Sequence, residues 1–157
     1  MKPSDIDLVA RTRLAELARQ LATGHITNDQ FEGRLPQSRE TALQEIFYCG
    51  LWPLYSDFRE YRLVKKHRLT PEDLAWVSRI VLFLRSGFPY RWPSTTSPVP
   101  VALLSLATLG WYGRRWRKNL APDGDKAVWP FFSQSEYEQA LASPVYLRGH
   151  DVVQPTP

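Results

Sequence analysis

A single cysteine, a single methionine, three histidines and eight glycines are all that 157 residues hold of those types, and each scarcity removes a class of function. The lone Cys49 forms no disulfide within the chain and builds no thiolate zinc cage, so a reducing compartment is the expected setting. His25, His67 and His150 stand far apart. None has a second histidine at metal-ligand helical spacing, and no His-Glu-x-x-His occurs, so no metal or other cofactor is expected. The glycines form no Gly-rich loop between a strand and a helix of the kind that cradles phosphate. Asp123-Gly124-Asp125 looks like a fragment of a calcium loop, but the remaining ligands and the distal Glu are missing, and a solvated turn is the simpler reading. Nor is there a membrane-length apolar run. Val101 to Tyr112, broken only by Ser105 and Thr108, reaches about 18 Å at helical rise against a hydrocarbon core of about 30 Å. It reads as a buried core helix, with an interfacial segment as the other reading because aromatic and basic residues follow. The opening residues Met1-Lys2-Pro3-Ser4-Asp5 run directly into a charged helix pattern with no secretory signal. A cytoplasmic protein of bacterial type is the expectation, and a membrane is not an expected partner.

What the chain does hold is apolar and aromatic: 43% and 13% of its residues, six of them tryptophan, against 23% charged. That composition departs from the apolar-poor, highly charged signature of disorder. One domain of this length buries roughly two-thirds of the surface its unfolded chain exposes. The net charge is +4 with a pI near 9.4, and the excess is uneven. Basic residues gather from Arg59 to Arg68 and again in Arg114-Arg115-Trp116-Arg117-Lys118, where they can attract phosphate or acidic protein surfaces.

Helical periods dominate. Ser4 reads as an N-cap ahead of Asp5 and Asp7, and Ala10, Leu14, Leu17 and Leu21 then recur at steps of three and four, with Gly24 as a left-handed stop. Thr27 and Gln30 carry a capping box flanked by Ile26 and Phe31, opening a short helix expected to reach about Leu35 before Pro36. Ser38 opens a third helix with Ala42, Leu43, Ile46 and Phe47 inward. Pro53 begins a stretch that reads as helical, with Leu54, Phe58, Tyr61 and Val64 on one face. Thr70, Pro71, Glu72 and Asp73 form the clearest helix start in the sequence. The helix after it is apolar on nearly every side up to Arg85, which suits the centre of a bundle, and Gly87 ends it. Residues 88–100, rich in Pro and Ser, read as a loop or linker. Val128-Trp129-Pro130-Phe131-Phe132 reads as an extended segment packed on the body, and Ser133 or Ser135 as the cap of a last helix around Glu136 to Leu141. The fold class expected is mainly α, a compact bundle of about six or seven helices. It forms one domain over 1–157, with 1–87 and 101–150 as conceivable subdomains.

The leucine-spaced helix, then Gly24, then Ile26-Thr27 followed by Asn28, Asp29 and Gln30, then Phe31-Glu32, resembles the SHOCT-type short bacterial helical modules over about residues 14 to 35. That resemblance implies assembly or interaction rather than catalysis.

No catalytic constellation stands out. Cys49, inside Phe47-Tyr48-Cys49-Gly50-Leu51-Trp52, reads as a buried inert thiol in an aromatic setting, and Glu72 with Asp73 serves the helix dipole. The patches with recognisable chemistry are Tyr90-Arg91-Trp92, whose residue types favour interface hot spots, and Trp111 to Lys118. In the latter, Arg114, Arg115, Arg117 and Lys118 can meet phosphates while Trp116 stacks on bases, or the aromatics can pack on the core under arginine stems. A protein that binds another protein or itself, without catalysis, is the preferred expectation. A basic nucleic-acid-associated protein is the alternative, and an enzyme without a recognisable motif comes third.

Overall fold

The computed structural model describes residues 6–92 and 124–142. Among them the fold is mainly helical and holds no sheet, with five α-helices. Helix α1 spans Leu8–Ala22 and turns Ala10, Leu14, Leu17 and Leu21 into the core, as the spacing predicts. Its cap is Asp7 rather than Ser4, which lies outside the described residues. The Asp7 carboxylate accepts from Ala10 N at 2.9 Å and from the Ser38 hydroxyl at 2.9 Å, while its own N–H donates to Glu40 Oε2 at 3.0 Å. Tertiary contacts thus select the later of two good capping residues.

At its far end α1 closes in a Schellman motif. Gly24 sits at φ +71°, its N–H reaches Leu21 O at 3.0 Å, and His25 N–H reaches back to Gln20 O at 2.8 Å. The Thr27–Gln30 capping box then forms in both directions and opens α2, Asn28–Glu32. That helix ends at Gly33, short of the Leu35 expected from the sequence. Helix α3 covers Thr41–Glu45 with Glu40 at the cap position, so Ser38 does not cap it directly; the Ser38 hydroxyl accepts from Glu40 N at 3.2 Å. Ala42, Leu43 and Ile46 are buried as expected. The chain runs on without a break through a π-helical turn, Ile46–Leu51, and a 3-10 turn, Trp52–Leu54.

The helix expected after Pro53 does not form. Tyr55 is extended (φ −140°, ψ 178°), Phe58 is 75% exposed and Val64 40% exposed, so the supposed apolar face is not a face. Regular structure resumes at Lys65–His67, a single 3-10 turn, and then at α4, Pro71–Ser86. This helix starts as the sequence predicts, with Thr70 as its cap and Pro71 in the first turn; Asp73 closes a capping box with Thr70, and the helix stops at Gly87 with φ +75°. It buries Trp76, Val77 and all of Ile80 to Leu84, and it is the central element, packed on α1.

Residues 124–142 pack on the same core. Asp125 caps a 3-10 turn, Lys126–Val128, and Ser133 rather than Ser135 precedes α5, Gln134–Ala142, its hydroxyl accepting from Glu136 N at 3.4 Å. Between them the chain turns instead of running extended, and Trp129 and Phe131 are wholly buried. The Trp129 ring stacks on Trp76, centroids 4.9 Å apart, and Phe131 meets Phe83 edge-on at 5.2 Å. One continuous cluster of buried apolar residues runs from Ala10 through α4 to Ala140. Most of the 88–100 stretch, the 101–112 run and the Trp111–Lys118 patch lie outside the described residues.

Candidate functional site

Of the residues with interface-like chemistry, Trp92 is turned inward. It is 2% exposed, and its indole N–H donates to Pro130 O and Phe131 O, both at 3.1 Å. Its ring lies so close to Gly124 that a Cβ there would stand 2.5 Å away. Trp92 is therefore a joint of the fold and not a surface anchor. Tyr90 is half-buried beside it, and its oxygen accepts from Trp129 Nε1 at 3.3 Å. Burial first, and the nearby Glu45 and Cys49, push its phenol well above the ordinary range against the opposing effect of that bond. Arg91 pairs with Glu136 and lies over the Phe132 ring at 5.0 Å, keeping half of its side chain exposed. The Trp, Tyr and Arg types that favour interfaces equally suit a buried ring with a hydrogen-bonded tip, so composition could not separate the two. Arg114, Arg115, Trp116, Arg117 and Lys118 lie outside the described residues.

The other basic cluster, Arg59 to Arg68, sits in plain view. The key to its shape is Asn28, 1% exposed at the start of α2. Its amide donates to Ser56 O at 3.2 Å and to Arg59 O at 3.0 Å, its carbonyl oxygen accepts from Tyr61 N at 2.8 Å, and its backbone N–H donates to Tyr61 O at 3.1 Å. A bridge between Thr27 and Arg62 extends this pairing, and the Tyr61 hydroxyl accepts from Ser56 N at 2.8 Å. These bonds offer the backbone of residues 56–61 the partners that a helix would otherwise supply. Further along, Leu63 and Leu69 are buried and act as two anchors. Between them Lys65 takes φ +51°, a left-handed conformation uncommon outside glycine, which throws the 65–67 turn outward. His67 packs on Tyr61 with ring centroids 4.5 Å apart, and Arg59 Nη2 lies 3.4 Å from His67 Nε2.

Arg59, Arg62, Lys65, Lys66 and Arg68 are all exposed, and among the described residues none of the five forms an ion pair. The two carboxylates within the loop have neighbours of their own: Thr27 Oγ1 donates to Glu60 at 2.7 Å, and Trp52 Nε1 donates to Asp57 at 2.6 Å. Phe58 projects beside the cations. The result is a fixed ridge of positive charge with one bare aromatic ring.

Opposite in sign is the small cluster of Glu32, Tyr55 and Asp57. Tyr55 donates to Glu32 Oε1 at 2.8 Å. Burial, together with Asp57 and Asp29, raises the Glu32 carboxyl above its usual value although the Tyr55 bond opposes this, and burial with the Glu32 charge raises the Tyr55 phenol. Among the described residues no three His, Cys, Asp or Glu side chains gather as a metal ion would need. Cys49 is buried as expected, its thiol 3.7 Å from Glu45 Oε2. Among the same residues no helix is long and apolar enough to cross a membrane. Compared with protein-family models, with curated proteins and with solved structures, the chain matches none.

Proposed function

We propose that this chain is a non-catalytic binding protein that docks on the acidic surface of another protein through the ridge of residues 58–68. One observation carries the reading: five cations, without ion-pair partners among the described residues, stand on a loop whose first half buried Asn28 ties down and whose second half is anchored by buried Leu63 and Leu69. Charge displayed in this way speeds encounter with an oppositely charged partner. A loop already fixed has little conformational freedom left to lose on binding. Phe58 supplies the apolar contact that simple charge attraction lacks. The local resemblance of residues 14–35 to SHOCT modules points the same way, towards assembly, and Asn28 within that stretch ties down the start of the ridge.

The test is affinity capture from native lysate with the wild-type chain and with a variant carrying Arg59→Glu, Arg62→Glu, Lys65→Glu, Lys66→Glu and Arg68→Glu, each with and without nuclease. All five positions are exposed, so circular dichroism should show an unchanged fold. A protein retained by the wild type after nuclease, lost by the charge-reversed chain and weakened by Phe58→Ala supports the reading. Recovery of nucleic acid without any protein would replace it with nucleic-acid binding.

A further inference from the structure

An open groove lies in the valley between α1 and α4. The groove measures about 550 Å³, within the roughly 300–1,000 Å³ of small-molecule sites. Its floor and one end are apolar: Ala22 from α1, and Leu74, Val77 and Val81 from α4 at steps of three and four. Leu74 is 37% exposed, a large apolar side chain left partly uncovered at the groove edge. Two hydroxyls on the rim are turned back on their own helices, Ser78 donating to Leu74 O at 2.8 Å and Thr23 to Arg19 O at 2.8 Å. They add little polarity to the groove.

The other end is charged. Arg19 Nη1 lies 3.3 Å and Arg85 Nη2 3.8 Å from the same oxygen of Glu16. Two guanidinium groups thus share one carboxylate, which leaves one positive charge in excess beside an apolar trough. From Leu74 to Arg85 the lining runs about 17 Å at the helical rise, the extended length of an aliphatic chain of about twelve carbons. We propose that this groove binds a free long-chain monocarboxylic acid, with its tail along Ala22, Val77, Val81 and Leu74 and its carboxylate between Arg19 and Arg85.

The site is independent of the basic ridge, and the experiment keeps the two apart. Sodium dodecanoate, kept below its micelle-forming concentration, is titrated calorimetrically into the full chain, with dodecanamide and butyrate as comparators. The expected result is saturable one-to-one binding of dodecanoate, about tenfold weaker binding of the uncharged amide, equivalent to about 1.4 kcal/mol, and none of butyrate. Arg85→Gln should erase the preference for the acid. Ser78→Trp, a change at an exposed position that fills the groove from its rim, should remove binding of both long-chain ligands. The five-fold Glu variant of the ridge should bind dodecanoate as the wild type does. No saturable binding, equal affinity for acid and amide, undiminished binding by Ser78→Trp, or loss of binding in the ridge variant would each overturn the assignment.

Discussion

Arg11 carries a charged side chain into the core. It has no exposed surface, donates through Nε to Glu40 Oε1 at 2.8 Å and through Nη1 to Phe88 O at 2.7 Å, and lies over the Phe83 ring at 5.0 Å. Removing one member of such a pair strands the other charge in apolar surroundings. Arg11→Ala should therefore cost about 3–5 kcal/mol, read from urea denaturation. Glu32 offers a pH test of opposite character. Its folded-state value is raised above 4.5, so its neutral form favours the fold below that pH and the benefit is lost as pH rises through the folded value. Glu32→Gln removes this titration and keeps an acceptor for Tyr55. The variant should melt higher than wild type at pH 7, with the gap closing below about pH 4.5. At this scale the sequence was only partly legible. Arg11 falls on the same helical stripe as Leu14, Ala15 and Ala18, and a cation within an apolar stripe is a readable sign of a buried partner. Glu40 as that partner was not readable, because 29 positions separate the two.

Elements whose ends are set by local chemistry stand where the sequence puts them. The Thr70–Asp73 and Thr27–Gln30 capping boxes and the glycines at 24 and 87 act within four residues of themselves, and all four mark real boundaries. The stretch after Pro53 fails for the complementary reason. Its backbone partners belong to Asn28, more than 25 residues earlier, and no local pattern announces them. Gly24 links the two cases, since a Cβ there would stand 2.3 Å from Val64 Cγ1 in addition to the strain of φ +71°. Gly24→Ala should lower stability by about 1–2 kcal/mol from the left-handed conformation alone. It should also push the basic ridge off α1, so amide exchange at residues 62–68 should quicken more than the loss of global stability accounts for.

At the scale of the whole molecule, residues 124–142 join the core built by residues 6–92. Trp129 fills the space between Trp76 and Gly50, where a Cβ would lie 3.0 Å from the indole, and Gly124 admits the ring of Trp92 in the same way. An added methyl at Gly124 meets three contiguous atoms along one edge of the rigid Trp92 ring. Gly124→Ala should cost about 1–3 kcal/mol, seen as a lower urea midpoint with an unchanged slope. The mainly helical class and the central place of α4 followed from hydrophobic period and an almost wholly apolar helix surface. The basic cluster from Arg59 to Arg68 was legible as charge, but its non-helical shape was not, because the bonds that set it come from Asn28 far earlier in the chain.

The partners of Arg11 lie 29 and 77 positions away along the chain. This cation finds shelter only when α1, the start of α3 and the exit from α4 have all arrived in their native order. A collapsed state with the helices wrongly arranged can satisfy its oily side chains almost as well, yet it leaves a guanidinium with nowhere to go. The pair is therefore expected to discriminate between topologies more than to add cohesion. Arg11→Met with Glu40→Leu is expected to melt no lower than the natural protein, while its amide NMR spectrum loses dispersion as rival arrangements become tolerable.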